Sequence, residues 1–166
     1  MKFLKYFFLF FLITSCSDDS DCIKRITVPD NMVKTSSGYT FIPSYTVDVP
    51  CEFDEENEIK VAEVLKNFSY EVVSFNFTPD TGNNTSKLEF EVILKNGNNF
   101  SVEGTPIFSM RTDNVEFSTN YQGSNGNCTT IDAKGNCVFK YSKEASLDLG
   151  IVKSIELTTI KYLLKE

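Results

Sequence analysis

Histidine and tryptophan are both missing from the 166 residues. Without histidine there is no Ser-His-Asp or Cys-His nucleophile system, and the commonest transition-metal ligand is gone as well. Most familiar hydrolase mechanisms fall with it. Basic residues are scarce too: 16 Lys and Arg stand against 23 Asp and Glu. No run of them forms the positive patch that nucleic acid requires, so a nucleic-acid partner is not expected. Phosphate-cradling glycine motifs are absent, since Gly123-Ser124-Asn125-Gly126 is followed by neither Lys-Ser nor Lys-Thr. No cofactor signature replaces them. The unbroken apolar run at residues 7–13 is too short to span a bilayer.

That run is informative in another way. Lys2 and Lys5 precede it, and Ile13-Thr14-Ser15-Cys16 closes it with small residues before a cysteine, the layout of a secretory signal. A cysteine so placed resembles the lipobox of bacterial lipoproteins, in which cleavage before the cysteine is coupled to acylation of its thiol. Ser17-Asp18-Asp19-Ser20-Asp21 follows at once and is similar to the acidic export tether of Bacteroidetes-type lipoproteins. The resemblance covers residues 2–21. It implies a signal peptide at 1–15, a lipid anchor on Cys16 with tether to residue 21, and lipid-anchored display on the outer membrane at the cell surface. Acyl chains contribute about 0.8 kcal/mol per buried methylene, so several on one cysteine hold a domain firmly. An ordinary cleaved signal peptide is the rival reading.

Removing the leader takes Lys2 and Lys5 but no acid, which leaves 14 basic and 23 acidic residues and a formal charge of −9. Residues 22–166 have the length of one domain. Four cysteines remain beside Cys16: Cys22, Cys51, Cys128 and Cys137. An even number in an exported chain favours two disulfides. Cys22–Cys51 and Cys128–Cys137 are favoured among the three connectivities because each closes a local loop. A zinc site is a weak rival, lacking histidine and C-x2-4-C spacing.

Aromatics make up 13% of the chain, 15 of them Phe, and Asn, Ser and Thr are plentiful, which leans toward β-structure. Residues 23–28 read as a first strand. Alternation at residues 39–49 predicts a half-buried strand interrupted by Pro43. Residues 58–67 predict a short helix or turn. Val73, Phe75 and Phe77 share one face of a strand at 70–78, and Leu88, Phe90, Val92 and Leu94 one face of the clearest strand, 87–95. Asn96-Gly97 predicts a hairpin to a strand at 100–103. Gly104-Thr105-Pro106 breaks that run before strands at 107–111 and 115–119. Residues 128–131 and 137–141 are expected to pair across a turn at 132–136. A phase slip in residues 151–164 predicts a bulge near Thr158-Thr159. About nine strands with frequent turns predict an all-β antiparallel sandwich, immunoglobulin-like in general architecture.

Sandwiches recognise partners through loops. The expected surface is therefore the loops at 78–86 and 121–127, with Asp80, Asn83, Asn84, Tyr121 and Asn125 as contact residues. Tyr39 and Tyr121 are the aromatics expected to stack on sugar if any does. Carboxylates such as Glu52, Asp54, Glu89 and Glu91 would serve a glycosidase-type enzyme, but in a chain this acidic they read as a solvated face. The expectation is a non-enzymatic binding or structural module, with a glycan or an envelope protein as partner. A polysaccharide-acting enzyme and an inhibitor or assembly factor are the alternatives.

Overall fold

The computed structural model describes residues 22–35, 38–59 and 61–165. The leader, Cys16 and the tether lie outside the described residues. The first elements form one long ribbon. β1 (Ile23–Val28) pairs β4 (Tyr45–Pro50), and β2 (Asn31–Thr35) pairs β3 (Gly38–Ile42), all antiparallel. The register that sets Ile23 opposite Pro50 continues unbroken to Thr35 opposite Gly38. Pro29 and Pro43 interrupt the pairing midway, since neither can donate to it. Cys22 and Cys51 extend the register by one more pair, joined by a disulfide and by Cys51 N–H donating to Cys22 O at 2.8 Å. On the chain-entropy model that closure contributes about 3.6 kcal/mol.

The strand expected at 39–49 is thus two strands, β3 and β4, and β4 is mostly exposed rather than half-buried. A two-stranded ribbon has only one face to bury. The expected helix at 58–67 also lies elsewhere. The one α-helical turn among the described residues, α1 (Glu55–Glu58), sits in the acidic stretch, where Asp54 caps it by accepting from the Glu56 and Asn57 N–H groups. Residues 63–65 are extended instead: Leu65 N–H donates to Tyr162 O and Leu164 N–H to Glu63 O, both at 2.8 Å, and Leu65 is buried.

Two antiparallel sheets form the sandwich. One has the order β10 (Asn136–Ser146), β6 (Thr85–Asn96), β5 (Phe68–Thr78). The other has the order β11 (Ile155–Leu164), β7 (Val102–Thr112), β8 (Val115–Thr119), with β9 (Thr130–Ile131) also on β7. In an immunoglobulin sandwich strands A, B and E are neighbours in one sheet and C′, C and F in the other. β5-β6-β10 and β8-β7-β11 follow those two orders. Residues 63–65 fill the place beside β11 that strand G would take.

Side chains alternate as the pleat requires, so Leu88, Phe90, Val92 and Leu94 meet Val102, Phe108, Met110, Phe139, Ile160 and Tyr162 in one core. A register shift between Val72 and Ser74 re-phases β5. Phe68 and Tyr70 before it and Phe75 and Phe77 after it therefore all face the core, while Val73, expected among them, is 52% exposed. The bulge expected in the last strand is present between Leu157 and Thr159.

Two expected hairpins are not hairpins. β6 is flanked by β5 and β10, so no edge is left for a strand at 100–103; pairing resumes only at Val102, the first residue of β7 in the opposite sheet. Asn96-Gly97 is an inter-sheet crossing, and neither residue has positive φ. Glycine is needed there for space: a Cβ on Gly97 would lie 2.6 Å from Asn67 O. Residues 130–131 and 136–146 likewise diverge to β7 and β6 after a turn in which Lys134 has φ of 53°. The Cys128–Cys137 disulfide thus joins a β10 residue to the segment entering β9, stapling the two sheets. Gly104 does not break β7. A Cβ there would lie 2.2 Å from Leu163 O and 2.5 Å from the Tyr162 ring, so glycine admits Tyr162, whose Oη donates to Cys128 O at 3.0 Å.

Candidate functional site

The two loops expected to form one surface are apart. In the first, Asp80 Oδ1 accepts from Gly82 N–H at 2.8 Å, closing an Asx-turn, and Asn84 Nδ2 donates to Asp148 Oδ1 at 2.8 Å. Asp80 and Asn83 are exposed at this end, beside the far terminus of β10. The second loop runs along the middle of β10 and covers its free edge. Ser124 N–H donates to Lys140 O, Asn125 Nδ2 donates to Val138 O, and Asn125 Oδ1 accepts from Lys140 N–H. From Lys140 to the Ser146 end is about 20 Å at strand rise, so the loops do not converge. Asn125 is occupied as a substitute strand that blunts an edge.

Tyr121 is likewise a packing residue. Its ring centroid lies 5.4 Å from Phe90, 5.6 Å from Phe108 and 4.5 Å from Tyr141. Burial first, then the neighbouring Tyr141, pushes its hydroxyl up to about 12. Burial also raises Tyr141 and, with the charge of Glu103 added, Tyr162. Unfolded tyrosines ionise near pH 10, so the stability held by these neutral phenols is complete below about pH 10 and is lost as pH rises from there toward 12. A phenolate absorbance titration should therefore resolve an ordinary and a late-ionising population, the late one coinciding with unfolding. A single transition near pH 10 with the fold intact would contradict the packing. The side chain of Tyr39 lies outside the described residues.

The carboxylates are arranged as a solvated surface. Glu55 pairs with Lys24 at 3.0 Å, Glu89 with Lys87 at 2.9 Å and Glu91 with Lys140 at 3.1 Å. Hydrogen bonds from Asn57, Lys87 and Lys95 hold Asp54, Glu89 and Glu71 below the usual carboxylate range. A general acid needs the opposite shift. Among the described residues no three Cys, Asp or Glu gather closely enough to hold a metal ion.

A different place is built with more care: the crossing from β6 to β7. Asn96 is buried, and its Nδ2 donates to the carbonyls of Phe100, Ile131 and Asp132 at 2.8, 3.2 and 3.0 Å. Its Oδ1 accepts from the Asn98 backbone N–H and Nδ2, both at 3.0 Å. Asn98 Nδ2 also donates to Lys66 O, and Lys134 Nζ donates to Gly97 O at 2.6 Å. With its backbone held on every side, the turn presents Phe100 to solvent at 61% exposure, next to exposed Asn99. An exposed aromatic on a backbone held this firmly is the chemistry of a recognition anchor. Sequence pattern alone misses it, because Phe100 reads as the first residue of a strand.

The ribbon adds a polar cleft of about 520 Å³ where Pro43 and Ser44 meet Ser109, Glu116, Ser118 and Thr158. The Ser109 and Ser118 hydroxyls bond to each other there at 2.8 Å. No protein-family model, curated protein or solved structure matches the chain, so these features stand on their own geometry.

Proposed function

We propose that the chain is an envelope lipoprotein, acylated on Cys16 and displayed on the outer membrane at the cell surface, whose sandwich is a non-enzymatic binding module. The leader and acidic tether support the address, and two disulfides suit an oxidising compartment. Downward-shifted, ion-paired carboxylates favour binding over polysaccharide cleavage. The observation that carries the reading is the β6–β7 crossing, where a buried amide fixes the backbone that holds out Phe100. An exposed aromatic ring suits a saccharide ring or an exposed loop of another envelope protein.

Glycan-array screening and envelope pull-down with the full chain test this. Truncating an aromatic anchor costs about 2 kcal/mol or more of binding, so Phe100→Ala should weaken capture by roughly thirtyfold or more while the melting temperature stays put. Undiminished capture by Phe100→Ala would remove the turn as the contact surface.

A further inference from the structure

We propose that the open base of the ribbon is a membrane foot, with the cross-strand pair Ile23 and Pro50 resting on the lipid surface that holds the anchor. This rests on the reading of Cys16 as acylated. Three observations support the foot. A cleft of about 490 Å³ at the base is lined by residues of the ribbon ends and Glu52 alone, none of them from the sandwich, so the base stands clear of it. Ile23 there is 65% exposed. Ile23 is seven steps along the chain from Cys16, which at about 3.6 Å each confines the foot to within roughly 25 Å of the anchored cysteine.

The direction of the ribbon agrees. Met32 lies against Thr105 and Pro106, near the start of β7, whereas Pro43 and Ser44 lie against Ser109 and Thr158. From Met32 to Pro43 the ribbon therefore runs away from the β6–β7 crossing, in the direction of its open base. A chain standing on that base carries Phe100 outward. Charge decides the kind of contact. Arg25 is taken by Asp48 at 2.7 Å and Lys24 by Glu55 at 3.0 Å, and nearby Glu52, Asp54 and Glu56 add negative charge. Such a surface gains nothing from anionic headgroups, so the contact the foot makes is apolar. That contact is weak alone and acts only at the high local concentration the anchor provides.

Because the chain has no tryptophan, Ile23→Trp, Pro50→Trp and Phe100→Trp each install a single fluorophore. The lipidated full chain is reconstituted in phosphatidylcholine vesicles with brominated acyl chains. Quenching at Ile23→Trp or Pro50→Trp should exceed that at Phe100→Trp by about threefold or more, and phosphatidylglycerol should not raise it. The Cys16→Ser chain should show none. Acylated protein, confirmed by intact mass, with equal quenching at both ends overturns the foot alone. A mass without acyl groups on Cys16 overturns the anchor and the foot together.

Discussion

Phe90→Ala is expected to lower the stability of the folded chain by about 4 kcal/mol, the range for truncating a buried phenylalanine. Phe90 is 2% exposed in the central strand β6. Its ring centroid lies 5.8 Å from Phe75 on β5, 5.3 Å from Phe108 on β7, and 6.1 and 5.1 Å from Phe139 and Tyr141 on β10. It also meets Tyr121 in the loop that covers the β10 edge. One side chain thus joins three strands of its own sheet, the facing sheet and the edge cover. Collapse around the void would require both sheets to approach, which their hydrogen-bonded registers and the Cys128–Cys137 staple resist. The cavity therefore stays largely open and its cost is paid in full. For a domain of this size each kcal/mol lowers the melting temperature by about 3 °C, so calorimetry should record a fall of roughly 12 °C. A loss under about 1 kcal/mol would mean that the aromatic cluster is not the keystone of the sandwich.

Phe90 is also where the sequence spoke most clearly. Leu88, Phe90, Val92 and Leu94 alternate without a slip, and β6 is buried on that face with neighbours on both sides. Local signals of the same kind revealed the β11 bulge and the two disulfide pairs, each of which closes a short loop. What stayed hidden were choices made by tertiary competition. Asn96-Gly97 has the composition of a tight hairpin turn, but both edges of β6 are already taken, so the chain crosses to the other sheet. The turn after Ile131 diverges as well: Ser124 and Asn125 occupy the free edge of β10, and β9 pairs β7 instead. A one-residue bulge at Val73 reverses which side of β5 faces in, and no residue type there announces it. The ribbon's exposure could not be read because alternation marks two faces without saying whether either is covered. Phe100 was illegible on the same ground: its exposure depends on where Asn96 anchors the backbone.

Asn96 is consequently the polar residue whose loss should cost most. Leucine has the same branched heavy-atom skeleton and is no smaller, so Asn96→Leu removes hydrogen bonds without opening a cavity. The carbonyls of Phe100, Ile131 and Asp132 lose their donor and the Asn98 N–H loses its acceptor. A buried group left unsatisfied costs about 1–3 kcal/mol, and partial exposure at the turn lets water reach some of them. A total near 3 kcal/mol follows, visible as an earlier denaturation midpoint. Asn96→Asp separates hydrogen bonding from shape. A carboxylate there faces three carbonyl oxygens and is held in its neutral form by burial and repulsion, so its folded pKa rises above the ordinary value near 4. Its stability contribution is then complete below about pH 4 and is lost as pH rises through the folded pKa. Asn96→Asp should therefore be weakest at neutral pH and recover in acid, whereas Asn96→Leu should show no such recovery. Both variants free the backbone under Phe100 while leaving its ring intact. Capture of a surface ligand should fall in both, and hydrogen exchange at residues 97–101 should quicken. Asn96→Leu that keeps native stability and slow exchange would show that the crossing is held by its backbone contacts alone.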